Sequence, residues 1–552
     1  MKILWLDINS SYSHASLALP ALQAQIIGTH LDKGNSWNVV RGSIKSDMDE
    51  IIGQVEQEEP EILFATLWLF THEFVINILS RIKALRPGVM IVLGGPEFLG
   101  ENEEFLRRNI GIDAVFRGEG EEFLGQWLPI CHEKEKWSGV KGLCFLLDGN
   151  YIDGGKAVVS DFASLRYPEE SSFFVSDRSF VQLETTRGCF NSCQFCVSGA
   201  DKPVRSLSIE QIRNRLNYYE KKGIKSIRML DRTFNGSAKR CKEMLDLMNE
   251  YNGRLTFHLE IHPSLLKEDL RNELNKMPKG LLHLEAGIQS LHDEVLSECT
   301  RNGDVESALD GLKFLFTLSD RMETHTDLIA GLPLYCYRDI VEDARILVTM
   351  NAGEVQLETL KVLPGTRMRE RAEELGLRYS PVSPYEILST PHISFNELRR
   401  AMILSRLLDI YFNHSPLRKL FREIAMDGFE LFEKMVDFFD KESGQLFFLS
   451  LENKAKKLYS FIEKLDPKHI AQFQRIWIEN GINMNTLPGL KSVEPIQYSS
   501  SDENRGLMID DNKKDIDNKR IRSYRVSTDK GCWIVRYDRT VSQSVPIEIL
   551  EN

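Results

Sequence analysis

In the stretch TTRGCFNSCQFC, residues 185–196, cysteines stand at positions 189, 193 and 196 with no fourth nearby. Deprotonated thiols are metal ligands, and three on one short loop can converge on one centre. A structural zinc ion takes four protein ligands, usually as two paired motifs. Zinc at Cys189, Cys193 and Cys196 would therefore need a fourth ligand from far along the chain. Iron–sulfur clusters also normally take four cysteines. A 4Fe-4S cluster held by three keeps one iron open, and an open metal position is what a catalytic centre needs. The C-x3-C-x2-C spacing points to such a reactive cluster, with zinc as the alternative. Cys131, Cys144, Cys241, Cys299, Cys336 and Cys532 are scattered singly. They read as small buried hydrophobes, not as a disulfide framework.

The elements around this loop decide where the centre would sit. Six apolar runs follow one another: VQLETT (181–186), SIRMLD (226–231), LTFHLE (255–260), LLHLEAG (281–287), METHTDLI (322–329) and EVQLETL (354–360). Between them lie helical patterns such as SIEQIRNRLNYYEKKG and SAKRCKEMLDLMNEYNG, each closing on a glycine, as helices often do. Strands alternating with helices imply parallel pairing. Six such units over residues 170–385 read as a partial (β/α)6 TIM-type barrel, with a second open sheet having the same pattern. The cysteines begin just beyond the first of these strands, at the mouth of the barrel. Thr185, Asp231, Glu260, His262, Glu285, Gln289, Asp327 and Glu358 gather at the C-terminal strand ends, the face on which barrel enzymes work. Any one of these carboxylates alone could be a solvated rim charge.

Residues 1–165 repeat the alternation with KILWLDI, WNVVRGSI, EILFATLW, VMIVLGG and DAVFRGEGE, which predicts a doubly wound, Rossmann-like parallel sheet. In such sheets ligands bind beyond the C-terminal strand ends. Those ends hold Asn9, Ser10, Tyr12, Ser13 and His14; Thr66 and Trp68; Gly94, Gly95, Pro96 and Glu97; and Gly118, Glu119 and Gly120. Glycine there lets a ligand approach the backbone. Tight turns explain any one pair, whereas recurrence across successive units points to a bound cofactor.

Residues 386–552 turn helical, with a polar loop near 499–520 and a short strand-like end, SYRVSTDKGCWIVRYD, and read as a structural cap. A chain of 552 residues suits three domains, and 42% hydrophobic with 27% charged residues is the balance of a folded protein. The 69 basic against 81 acidic residues, a net charge of -12, argue against nucleic acid as a partner. ILFATLWLF is too short to span a membrane, and MKILWLDINS is too short in its apolar part for a signal peptide. A cytoplasmic location is the expectation.

ETTRGCFNSCQFC resembles the signature of the radical S-adenosylmethionine (SAM) superfamily, including an aromatic residue, Phe195, before the last cysteine. LEAGIQSLHDEVL (284–296), DLIAGLPLYCYRD (327–339) and LPGT (363–366) resemble that superfamily's barrel, and VLGGPEF and DAVFRGEGEEFL resemble the cobalamin-binding domain of its cobalamin-dependent class. The third region resembles an uncharacterised C-terminal extension found on some members. The resemblance implies that Cys189, Cys193 and Cys196 hold a 4Fe-4S cluster whose open iron chelates SAM. It also implies that a 5'-deoxyadenosyl radical is produced, and that Asp231, Gly287, Gln289, Ser290, Glu260 and Glu285 line the SAM or substrate pocket. Two motifs depart from the family pattern. The cobalt-ligating Asp-x-His-x-x-Gly is absent, with Asn9 two residues after Asp7, and MLDRTF stands where Gly-Gly-Glu is common.

The implied activity is a cobalamin-dependent methyl transfer to an unactivated carbon of a small molecule or peptide, with a flavodoxin or ferredoxin as reductant. Cyclisation, oxidation or rearrangement with the same cofactors, and non-enzymatic redox sensing, are the alternatives. Methylthiolation of tRNA in the related class uses three more cysteines in the first domain, where this chain has only Cys131 and Cys144.

Overall fold

The computed structural model describes residues 1–11, 15–441, 449–496, 521–538, 546 and 548–551. Strands β1 (Lys2–Asn9), β2 (Ser36–Ser43), β3 (Ile62–Thr66), β4 (Met90–Gly94), β5 (Ala114–Phe116), β6 (Leu143–Leu147) and β7 (Asn150–Ile152) form one sheet in the order β2-β1-β3-β4-β5-β6-β7. The first five are parallel, as expected from the crossover helices. Side chains alternate across this sheet: Leu4, Leu6 and Ile8 enter one core while Ile3 and Trp5 enter the other. A strand buried on both faces must be apolar throughout, which is why KILWLDI carries no polar alternation. The antiparallel β6–β7 hairpin extends the sheet beyond β5. Its Asp148-Gly149 turn has both residues at positive φ, 49° and 80°, the conformation of a two-residue hairpin loop.

The second sheet is the expected partial barrel. Strands β8 (Val181–Leu183), β11 (Ser226–Met229), β12 (Thr256–Ile261), β13 (Leu282–Gln289), β14 (Glu323–Ala330) and β15 (Glu354–Thr359) are ordered β15-β14-β13-β12-β11-β8. The short pair β9 (Thr186–Arg187) and β10 (Arg205–Ser206) is antiparallel and brackets the cysteine loop. Along β13, Leu282, Leu284, Ala286 and Ile288 are buried against one side, whereas His283, Glu285, Gly287 and Gln289 occupy the other face. Helix Ile209–Lys221 starts at a capping box made by Ser208 and Gln211, and helix Ala238–Asn249 is capped by Ser237.

The chain divides into two compact units, Met1–Tyr337 with Glu358–Leu398, and Arg338–Leu357 with Arg399–Asn552. The first holds the N-terminal sheet and most of the barrel, joined by polar ties. Arg205 and Arg187 pair with Glu119, and Arg187 also reaches Glu121 at 2.8 Å and Glu184 at 2.7 Å. Tyr385, just before β17 (Ile387–Ser389, paired with β16, Arg378–Tyr379), donates to Glu97 at 2.9 Å. The second unit contains helices Arg418–Met426, Phe429–Lys441, Leu451–Leu465 and Ile470–Glu479. It closes with an antiparallel sheet of β18 (Leu490–Pro495), β19 (Ile521–Thr528), β20 (Cys532–Asp538) and β21 (Glu548–Glu551). The strand-like end expected from sequence is the β19–β20 hairpin; residues 499–520 lie outside the described residues. Among the described residues no helix is long and apolar enough to cross a membrane.

Gly118 follows β5 at φ +109°, and a Cβ there would lie 2.3 Å from the Ala157 carbonyl oxygen. Gly118→Ala is expected to destabilise the first unit by about 1–3 kcal/mol from backbone strain alone, with further cost from the overlap. Thermal unfolding checks it, and an unchanged midpoint would contradict the close approach.

Candidate metal and cofactor site

Cys189 and Cys193 are buried and Cys196 is half-buried, in a loop between β9 and β10 at the C-terminal end of β8. The loop owes its shape to contacts with residues 298–302. Gln194 N donates to the Cys299 carbonyl at 2.9 Å and its side-chain amide to the Glu298 carbonyl at 2.9 Å. Asn302 N donates to Asn191 Oδ1 at 2.8 Å, and Thr300 to the Ser192 carbonyl at 2.5 Å. Arg371 fixes the other side of Gln194 by donating to Oε1 at 2.7 Å.

Burial pushes the Cys193 thiol up; the Arg301 guanidinium opposes this and the neighbouring thiols add to it. Burial also raises Cys196, against a backbone hydrogen bond and Arg232. The three thiols therefore influence one another directly, and loading a metal centre on them must release protons. As a soft, clustered donor set with no fourth cysteine in the loop, they fit a 4Fe-4S cluster with one open iron.

Arg301 Nη1 lies 3.7 Å from Cys193 Sγ, and its Nη2 donates to the Gly287 carbonyl at 2.6 Å. One guanidinium thus couples the cysteine loop to β13. Sequence reading missed it because the motif-like stretch 284–296 ends before it and nothing local ties Arg301 to a loop 108 residues earlier. Arg301→Met is expected to lower cluster retention about 10- to 100-fold, the usual effect of losing a partner that orients a metal ligand. Iron per chain after anaerobic desalting measures it, and retention equal to wild type would remove the assignment.

The expected pocket residues separate into groups. Asp231 is 2% exposed and its carboxylate is fully engaged. Oδ1 accepts from the Thr185 and Thr186 amides, each at 2.8 Å, and Oδ2 accepts from the Thr185 hydroxyl. Burial raises its pKa against those bonds. Asp231 therefore shapes the strand end that carries the cysteines. Gly287, Gln289 and Ser290 lie together at the end of β13, where the register shifts between Gly287 and Gln289 and Gln289 takes φ +75°. A Cβ on Gly287 would meet the Gln289 side-chain amide nitrogen at 2.5 Å, so the missing side chain makes room for that amide. Glu260 stands 3.8 Å from Arg232; burial pushes it up to about 7, with Arg232 opposing and Glu285 adding. Asp327 is likewise pushed up to about 7 by burial and by Glu285. Glu285, earlier in β13, accepts from His258 at 3.0 Å and lies 3.1 Å from His325; burial raises it, but these bonds more than offset that and hold it low.

In the N-terminal sheet, Asn9 bonds to Asp7 at 3.1 Å, Ser10 is exposed, Thr66 is buried and Trp68 is 38% exposed. Tyr12, Ser13 and His14 lie outside the described residues. A Cβ on Gly95 would strike the Leu67 carbonyl at 2.5 Å, so Gly95, like Gly118, serves the chain's own packing; at Gly94 nothing stands within 4 Å. Pro96 opens a short 3-10 turn and Gly120 rests on Leu22. Glu97 and Glu119 are taken up by Tyr385 with His72 and by Arg205 with Arg187. Of the described strand-end residues, Ser10 and Trp68 are exposed, and open space lies over Gly94. Cys131 and Cys144 are buried in the two opposite cores of the sheet, so they do not combine into a second thiol centre.

Three family models match the chain: B12 binding domain over residues 14–127, Radical SAM superfamily over 183–375, and Protein of unknown function (DUF4080) over 373–479. The cobalamin-dependent radical SAM methyltransferase TokK of Streptomyces tokunonensis is 22% identical over 59% of this chain, which spans about half (51%) of TokK's length. Among solved structures, the cobalamin-dependent S-adenosylmethionine radical enzyme OxsB aligns with a TM-score of 0.62 at 15% identity, over 86% of this chain and 80% of that one. TsrM from Kitasatospora setae, with cobalamin and a [4Fe-4S] cluster bound, aligns with a TM-score of 0.53 at 15% identity, over 69% and 81%. At these identities the structures establish the shared fold. With the three models in series along that fold, the chain carries a B12-binding domain, a Radical SAM domain and a DUF4080 domain, in that order.

Proposed function

We propose that this protein is a cobalamin-dependent radical SAM enzyme, and within that class a methyltransferase acting on a small molecule or peptide. The observation that carries the proposal is the loop of three cysteines, with no fourth within it, clamped at the barrel mouth beside the end of β13. When bound, the cluster supplies the electron that cleaves SAM and cobalamin carries the methyl group. The chain's own residues do the positioning. Cys189, Cys193 and Cys196 hold the cluster, and Arg301 fixes Cys193 relative to Gly287. Gly287, Gln289 and Ser290 offer backbone and amide groups to SAM, with Glu260 at its rim. Asp231 keeps the loop's base rigid. Gly94, Ser10 and Trp68 are the assigned cobalamin contacts on the N-terminal sheet. A low-potential flavodoxin or ferredoxin is the matching electron donor.

The test is anaerobic reconstitution with iron, sulfide, hydroxocobalamin and SAM, followed by reduction and assay for 5'-deoxyadenosine. The expected result is 5'-deoxyadenosine formation by a protein that retains a corrinoid absorption spectrum. An intact, reduced cluster that yields none would sink the radical-enzyme reading, and failure to retain the corrinoid would sink the cobalamin part alone.

A further inference from the structure

Barrel interiors are ordinarily packed by layers of branched apolar side chains. Deeper in this barrel than Gly287–Ser290, three neighbouring strands instead put imidazoles side by side: His258 on β12, His283 on β13 and His325 on β14. The register makes this juxtaposition. His258 pairs with His283 and Glu260 with Glu285 across β12–β13, while Glu285 pairs with His325 across β13–β14. One ring nitrogen from each histidine lies within 4.8 Å of the other two. The rings of His258 and His283 stack with centroids 4.4 Å apart.

We propose that this cluster is a second metal site, which takes one zinc-class divalent cation on His258, His283 and His325, with Glu285 against His325 Nε2. Glu285 Oε2 is 3.0 Å from His258 Nε2 and 3.1 Å from His325 Nε2, and His283 Nε2 is 3.0 Å from His325 Nδ1. His283 Nε2 and His325 Nδ1, 3.0 Å apart, are close to the roughly 3.3 Å ligand–ligand edge of a tetrahedral site with bonds of about 2.0–2.1 Å, so the ion belongs on that side of the His325 ring while Glu285 holds the other nitrogen. Three imidazoles suit zinc and leave its fourth position to water. Its effect is to bind β12, β13 and β14 together beneath the chamber where the cysteine loop works. Asp327 supports the assignment. Its buried Oδ1 has no hydrogen-bond partner among the described residues and lies 3.9 Å from His325 Nε2, where it can orient that ring.

The experiment uses the full chain, anaerobically reconstituted so that iron occupies the three cysteines, then exposed to Zn2+ and desalted. Zinc and iron are counted by mass spectrometry, and the zinc environment is read by X-ray absorption at the zinc edge. The expected result is about one zinc per chain with only nitrogen and oxygen neighbours at about 2.0–2.1 Å. His283→Gln and His325→Gln are expected to lower zinc retention at least tenfold with iron content unchanged. No retained zinc in the wild type, sulfur neighbours at about 2.3 Å, or zinc unaffected by both substitutions would overturn the proposal. If a variant also loses iron, the wild-type spectrum decides alone. None of these readouts depends on SAM cleavage, so the proposal fails or stands separately from the enzymatic one.

Discussion

Cys193→Ala, carried through anaerobic reconstitution, is expected to lose the 4Fe-4S cluster and, with it, all detectable 5'-deoxyadenosine. The effect should exceed the roughly 10- to 100-fold typical of orienting residues such as Arg301, because a cluster already one ligand short has none to spare. Cys193 is the severest of the three positions. It is buried beside Arg301 and takes part in the loop's backbone turn, its carbonyl accepting from Cys196 N at 3.2 Å. A void there cannot admit an external thiol as easily as the more exposed Cys196. Low-temperature electron paramagnetic resonance of the reduced protein and product chromatography measure both effects. A variant with wild-type cluster signal and product would show that the thiols are not the ligands.

The largest stability effect is expected from Glu169→Ala. Glu169 sits in the segment between the two sheets, and its carboxylate is almost completely buried with Arg215. Arg215 Nε donates to Glu169 Oε1 at 2.8 Å, Tyr219 donates to the same oxygen, and Arg215 Nη1 donates to the Glu184 carbonyl at 3.2 Å. Arg215 also lies 5.0 Å from the Tyr167 ring. Burial lowers the Arg215 pKa, but Tyr219 and Glu169 outweigh it and keep the guanidinium charged. Removing the carboxylate leaves that charge buried without its partner, at a cost of about 3–5 kcal/mol, or a thermal midpoint lower by roughly 6–20 °C. The paired change Glu169→Leu with Arg215→Met should recover most of the loss, since replacing both charges avoids the orphan. A single variant within about 1 kcal/mol of wild type would mean that water already screens the pair.

Both effects arise from residues of different legibility. The cysteines could be read from spacing alone, because three thiols so close in sequence have few chemical uses and a loop after a strand has one natural place in a barrel. The six barrel strands and the five parallel strands ahead of them were equally plain, since burial on one or both faces imposes apolar runs that survive in a single sequence. Glu169 was invisible, because nothing local marks a carboxylate that will meet a helix 46 residues further on. Asp231 could be placed at the right strand end but not given its partners, Thr185 just past β8 and Thr186 at the start of β9.

The sequence by itself determined the sheet types, the order of the domains and the place of the three-cysteine loop, because each rests on local periodicity or on residues adjacent in the chain. Only the tertiary structure decided which carboxylates are spent on holding the fold, as with Glu97, Glu119 and Asp231. It alone decided that Arg301 faces Cys193, and that His258, His283 and His325 share one layer. Those facts depend on strand register and on side chains brought together from distant segments, and a shift of one residue in that register would turn each histidine to the opposite face.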